Sequence, residues 1–203
     1  MWYDIFARFY DLAIGWLYRP HRADLIAAAA IEPGMRVLDL ACGTGQNFEH
    51  IMAALGDEGE LIGVDLSPGM LGKAQRRIDR NGWTDRAQLV CHDAATLTPE
   101  LVGGPVDVVI CALGLSVIPE YEDAFRGTWE QLREGGRYAI MDVHATRWVP
   151  ATSMVRLIAR ADVYRTMWAP LEQISVDFER SWLSRLDHIH GGRLLLAVGN
   201  KKA

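Results

Sequence analysis

The run Val37-Leu38-Asp39-Leu40-Ala41-Cys42-Gly43-Thr44-Gly45 confines this chain to a narrow set of folds. Val37, Leu38 and Leu40 are apolar on both faces, as in a strand of a parallel sheet covered on both sides. Gly43 and Gly45 then let the backbone turn tightly and bring a ligand close with no Cβ in the way. Asp39 lies inside the strand, four residues before the first glycine, and Leu61-Ile62-Gly63-Val64-Asp65 ends in a second acid 22 residues after it. Strand, glycine turn, helix, strand and acid together are the layout of a nucleoside-binding α/β unit.

One position separates two versions of that unit. A dinucleotide fingerprint needs a third glycine three residues after the second, and Phe48 stands there. A carboxylate such as Asp39 beside the turn disfavours a pyrophosphate and suits a cationic group. With V-L-D-L-A-C-G-T-G followed by G-V-D-L-S-P-G-M-L, the chain resembles the class I S-adenosylmethionine-dependent methyltransferases. The resemblance implies a Rossmann-like, doubly wound, mostly parallel seven-stranded α/β sheet, closed by an antiparallel C-terminal hairpin and covered by an N-terminal helical lid.

It also implies a cofactor, S-adenosyl-L-methionine, and residues to hold it. Asp39 is expected near the methionine amino group, with Ala41, Gly43 and Gly45 allowing close approach. Asp65 is expected to accept from both ribose hydroxyls, which the two oxygens of a carboxylate can do. Leu66 and Met70 are expected to flank the adenine, and Asp93-Ala94 to meet its edge. Ala112 and Leu115, after the fourth strand, are expected beneath the methionine end. The plain alternatives are a capping or solvated Asp93 and a Met70 that only packs helix on sheet. Tyr10-Asp11 is similar to a Tyr-Asp pair in quinone and lipid methyltransferases, where the tyrosine closes over the methionine carboxylate. Tyr3-Asp4 repeats the dipeptide.

The pattern along the chain predicts one domain over 1–203, with a lid (1–30), a cofactor-binding core (35–145) and a substrate-side helix with closing strands (146–203). Apolar residues at 2, 5, 6, 9, 13, 16 and 17 make a helical stripe. Strands are expected at 36–40, 61–65, 87–92, 106–112, 138–143 and 194–199. Helices are expected at 46–55, 68–81, 121–132 and 154–164, and a further strand within 174–186. Alternating strands and helices imply right-handed parallel crossovers.

Half of the residues are hydrophobic and the mean hydropathy is +0.02, ordinary for a globular domain. The longest apolar run, 108–118, is too short to span a bilayer. The first residues lack the basic start and cleavage site of a signal peptide. Cys42, Cys91 and Cys111 read as core residues of a cytoplasmic protein, with no spacing for a disulfide or a metal site. The net charge of −5 is uneven. Residues 23–145 carry nine Lys and Arg against nineteen acids, whereas 146–203 carry nine against five. No stripe of basic and aromatic residues favours nucleic acid. The basic flanks suit an anionic substrate or the inner face of an anionic membrane.

Methyl transfer from a sulfonium needs alignment and exclusion of water, and a base only if the acceptor arrives protonated. His144 is the leading candidate, since imidazole is the side chain suited to exchange a proton near neutral pH, ahead of Asp142. Structural or solvated histidine is its alternative. Trp148, Met154, Leu157 and Ile158, with Arg147, Arg156, Arg160 and Arg165, suit an amphiphilic acceptor. Leu115-Ser116-Val117-Ile118-Pro119 is similar to the small phospholipid N-methyltransferases and suggests a lipid amine headgroup. A soluble aromatic or quinone-like acceptor is the alternative, and a cofactor-binding protein without chemistry the remote one.

Overall fold

The computed structural model describes residues 15–184, 189 and 191–203, with side chains from Leu17 onward. Seven strands form one sheet in the order β3-β2-β1-β4-β5-β7-β6. They are β1 (Arg36–Leu40), β2 (Glu60–Asp65), β3 (Ala87–Cys91), β4 (Val106–Ala112), β5 (Leu132–His144), β6 (Val176–Ser184) and β7 (Arg193–Asn200). β1 to β5 pair in parallel, and β7 runs antiparallel between β5 and β6. The expected doubly wound sheet with its closing hairpin is therefore present.

The helices are α1 (Gly15–Ala29), α2 (Phe48–Leu55), α3 (Pro68–Asn81), α4 (Pro99–Val102), α5 (Tyr121–Gln131), α6 (Pro150–Ala159) and α7 (Ala169–Ile174). Their placement follows from local chemistry. α2 buries Phe48, Ile51, Met52 and Leu55, an i, i+3, i+4, i+7 stripe turned to the sheet. α3 starts where Ser67 Oγ accepts from Met70 N at 3.2 Å and Pro68 occupies the first turn. It ends at Gly82 in the left-handed region. Two core clusters lie on either side of the sheet. One gathers Val37, Phe48 and Val143 with α1 to α3, and the other Leu38, Val109, Phe125 and Tyr138 with α5 and α7.

The structure redraws several sequence expectations. Gly135 and Gly136 do not precede the fifth strand but lie within it. They form a bulge between the pairs Val106↔Leu132 and Val108↔Arg137, and the main chain of Lys201 satisfies it from both sides, with Gly135 N donating to Lys201 O and Lys201 N to Gly136 O. The helix expected over 154–164 runs instead from Pro150 to Ala159. Arg160 adopts φ +53, after which Asp162 N donates to Ser116 O and Ala145 N to Val163 O, both at 2.7 Å. Burial of Ala161 and Val163 pulls the chain back to the sheet and ends the helix. Cys91 is exposed on the edge strand β3, not a core residue. The N-terminal stripe before Gly15, with Tyr10, lies outside the described residues.

A cofactor site at the switch between β1 and β4

The strand order reverses between β1 and β4, and a ligand crevice is expected at the carboxyl ends of strands at such a point. Two non-glycine residues in the left-handed region mark it, Ala41 at φ +53 after β1 and Leu113 at φ +60 after β4. Such positions persist only where the surroundings hold them. Gly114 permits the arrangement, because a Cβ there would stand 2.6 Å from Cys111 Sγ and 2.7 Å from Ala41 Cβ. The two turns touch at that glycine and open onto a cavity of about 840 Å³.

The two glycines of the opening motif divide their work. Gly43, at φ +56, has nothing within 4 Å of where a Cβ would be and lines the cavity. Gly45, at φ +76, does not line it. A Cβ there would fall 2.6 Å from the Phe48 ring, whose tip also presses on Gly63, 2.9 Å from the Cβ position. The expectation that Gly45 admits the cofactor is therefore corrected: it admits Phe48. The absent third glycine is explained by the same contact, since a ring fills the space between helix and sheet and two other glycines make room for it. Gly45→Ala is expected to lower unfolding free energy by about 2–4 kcal/mol in a urea titration. Gly43→Ala should cost about 1–2 kcal/mol but weaken cofactor binding far more.

Asp65 lines the cavity with its carboxylate held in place. Oδ2 accepts from Gly43 N at 2.8 Å and Oδ1 from Ser67 N at 2.9 Å. A carboxylate oxygen has two lone pairs, so one that accepts a backbone N–H can also accept a hydroxyl. Leu66, largely exposed, and the buried Met70 flank this position on the cavity wall. Asp93 and Ala94 line it next, although Asp93 Oδ1 also caps a short 3-10 turn through Ala95 N at 2.9 Å. Ala41 and Ala112 contribute to the floor.

Three expected residues stand elsewhere. Leu115 is fully buried among the residues of the second core cluster and does not reach the cavity, because the turn that begins at Leu113 points its side chain beneath the sheet. Asp39 is fully buried behind the cavity wall. Asn47 Nδ2 donates to both of its oxygens, at 2.9 and 3.1 Å. Arg22 donates to Asn47 Oδ1 and, at 2.9 Å, to Gln46 Oε1. Arg22, Gln46 and Asn47 all line the cavity, so the reach of Asp39 toward a ligand passes through them. Burial pushes the Asp39 carboxyl up to about 7, against the opposing pull of Asn47 and Arg22.

His144, expected as the base, is the third. Its ring lies edge-on to Trp168 at 4.8 Å and stacks with Trp182 at 6.4 Å, and Nδ1 meets Arg165 O at 2.9 Å. It is absent from the cavity wall. Alternation along β5 puts Asp142 and His144, two residues apart, on one face of the strand, and what separates them is the cover that Trp168 and Trp182 lay over the histidine. Of these two residues, Asp142 reaches the cavity. Oδ2 accepts from Ser116 N at 3.0 Å and Oδ1 from Val143 N at 2.8 Å, and burial pushes the carboxyl up to about 6. Among the described residues no three His, Cys, Asp or Glu side chains come together as a metal site.

Arg22, Gln46 and Asn47 carry no motif in the sequence that marks them for this site. A signal for them existed: an acid inside an all-apolar strand requires buried donors. Asn47, placed just before α2, reads as a helix cap, yet it makes no cap bond and turns its amide to Asp39.

The sheet order, the switch-point cavity and the acid at the end of β2 define a Rossmann-like nucleoside site. The fit to S-adenosylmethionine rests on Asp65 facing the cavity, the open Gly43 and the carboxylates behind a cationic ligand's path. The model of the methyltransferase domain family matches residues 37–136. The chain carries a class I S-adenosylmethionine-dependent methyltransferase domain, and S-adenosyl-L-methionine is its cofactor.

Relatives sharpen the family. The chain is 32% identical over 132 residues to a ubiquinone/menaquinone biosynthesis C-methyltransferase of Ectopseudomonas mendocina, covering 65% of this chain and 51% of the relative. It is 36% identical over 122 residues to an arsenite methyltransferase of Halobacterium salinarum, covering 59% and 30%. The chain thus spans about half the length, or less, of these relatives. The geranyl diphosphate C-methyltransferase of Streptomyces coelicolor superposes with a TM-score of 0.75 at 13% identity, over 90% of this chain and 75% of that one. Phosphoethanolamine N-methyltransferase 2 of Haemonchus contortus gives 0.74 at 15%, over 98% and 60%. These two likenesses show the fold.

Proposed function

We propose that this chain methylates an apolar, aromatic or quinone-like small molecule. The observation that carries the reading is the makeup of the cavity beyond the cofactor-facing residues. Val117, Ile118, Met154, Val155 and Ile158 line it with one buried carboxylate, Asp142, among them. Ser116, Glu120 and Arg160 also line the cavity, and a largely apolar wall with a few placed polar groups is the usual form of a small-molecule site. Bound S-adenosylmethionine supplies an activated methyl group on a cationic sulfur. The apolar wall excludes water and presses the acceptor into line. Asp142, raised toward neutrality, takes the proton of an acceptor hydroxyl as the new bond forms. The quinone C-methyltransferase relatives support the same acceptor class.

The arsenite relative does not carry over its substrate. Trivalent arsenic is thiophilic and calls for converging soft ligands. Cys42 and Cys111 belong to different core clusters, and Cys91 is exposed on β3. Burial also pushes the Cys42 and Cys111 thiols up, away from the reactive thiolate. A phospholipid amine headgroup is the second reading, favoured by the exposed Arg147, Arg156 and Arg160 on and beside α6, of which Arg160 lines the cavity.

Methyl-labelled cofactor offered with a hydroquinone, a catechol, phosphatidylethanolamine and arsenite tests the proposal. Label is expected in the hydroquinone or catechol product. Transfer to phosphatidylethanolamine alone would establish the second reading. Cofactor binding without transfer to any acceptor would overturn both. In the productive reaction, Asp142→Asn should lower kcat by about 10²–10⁴-fold, the ordinary worth of a positioned base, with the loss smallest at high pH.

A further inference from the structure

We propose that the exposed face of α6 and the turn before it is a docking surface for an anionic lipid bilayer. Trp148 is 63% exposed, Met154 53% and Leu157 77%. The last two, with the exposed Ile158, stand at i, i+3 and i+4 and so share one side of the helix. The Trp148 ring is not loose, because its Nε1 donates to Ser153 Oγ at 2.8 Å. It is held beside the first turn of α6 with its apolar body turned to solvent, the placement of an interfacial tryptophan. A contiguous apolar patch of this kind on a chain surface marks an interaction site.

Charge selects the occupant. Residues 146–161 carry three arginines and no acid, although the chain as a whole is net negative at −5. Arg147, Arg156 and Arg160 are all exposed around the apolar side chains, and Arg156 is propped over the Tyr164 ring at 5.5 Å. The acidic body over 23–145 is repelled by an anionic surface, which favours presenting this face to it. Apolar side chains ringed by arginines suit headgroups and acyl chains together, the two contributions that hold a peripheral helix. α6 is also a wall of the cavity, through Met154, Val155 and Ile158. A docked chain therefore opens its acceptor site toward the bilayer. That delivery rests on the apolar-acceptor reading above, whereas the docking itself does not.

The test is flotation of the full chain with vesicles of phosphatidylcholine alone or with 30% phosphatidylglycerol, roughly enough to give an anionic surface. Binding to the anionic vesicles only is expected, weakening with salt. Leu157→Asp should reduce partitioning at least about tenfold, and R147E with R156E by about fivefold per arginine or more. Neither variant touches the cofactor cavity, so S-adenosylhomocysteine affinity should be unchanged, which also confirms folding. Absence of flotation with anionic vesicles overturns the proposal. So does flotation that these variants leave intact, which would place the contact on another segment. Concentration-dependent self-association abolished by Leu157→Asp would assign the face to a second copy and overturn it equally. Flotation can succeed where no apolar acceptor is methylated, so the two proposals fail separately.

Discussion

Asp65→Ala is expected to weaken S-adenosylhomocysteine binding by at least about 100-fold in isothermal calorimetry. The carboxylate loses two charge-assisted bonds to the ligand, each worth roughly 1.5–3 kcal/mol, with about 1.4 kcal/mol per tenfold in affinity. It also releases Gly43 N and Ser67 N, which it holds at 2.8 and 2.9 Å, so the glycine turn and the start of α3 lose a common anchor. Asp65→Asn should be nearly as damaging. Its amide nitrogen must face one of those two N–H donors, and no orientation satisfies both. An affinity within threefold of the parent for both variants, with the thermal transition unmoved, would refute this assignment of the ribose site.

The second large effect is on stability against pH. The folded Asp39 carboxyl keeps its proton to about 7 and Asp142 to about 6, both through burial. Unfolded, each releases it near 4. Between these limits the folded chain binds more protons than the unfolded one, so both groups stabilise fully below about pH 4 and lose that contribution as pH rises to about 7. The loss is on the order of 3 kcal/mol per group. Asp39→Asn and Asp142→Asn should therefore flatten the decline. Relative to the parent, each variant gains stability from pH 5 to pH 8 in denaturant titrations. A constant difference across that range would show that the carboxylates are ionised when folded. Cofactor binding adds a linked sign: a cationic ligand favours ionised Asp39, so binding near pH 6 should release protons, seen as a buffer-dependent enthalpy.

Much of the fold was legible because parallel strands buried on both faces write themselves as apolar runs. β1, β2 and β4 were found at or within one residue of their bounds. Asp65 was legible for a related reason, since a strand end fixes both the position and the direction of the residue that leaves it. The interior of β5 was not. Whether Gly135-Gly136 ends a strand or bulges within one depends on Lys201, far away in sequence, accepting and donating across it. His144 and Asp142 are a sharper case. Both are titratable, both lie near the end of β5, and their spacing alone cannot say which one a neighbouring element will cover. Trp168 and Trp182 cover the histidine, and the turn at Ser116 meets the aspartate.

The opening motif shows where the division falls. Local sequence determined the strand, the turn, the acid at the end of β2 and hence the cofactor, because each depends on backbone geometry within a few residues. Tertiary structure alone decided that Gly45 serves Phe48 and Gly43 the cavity, that Asp39 acts through Asn47 and Arg22, and that α6 turns Leu157 outward. Those roles depend on which side chains the fold brings to within van der Waals distance from elements 20 or more residues apart, such as Arg22 on α1 and Asn47 before α2. Packing, not spacing, assigns them.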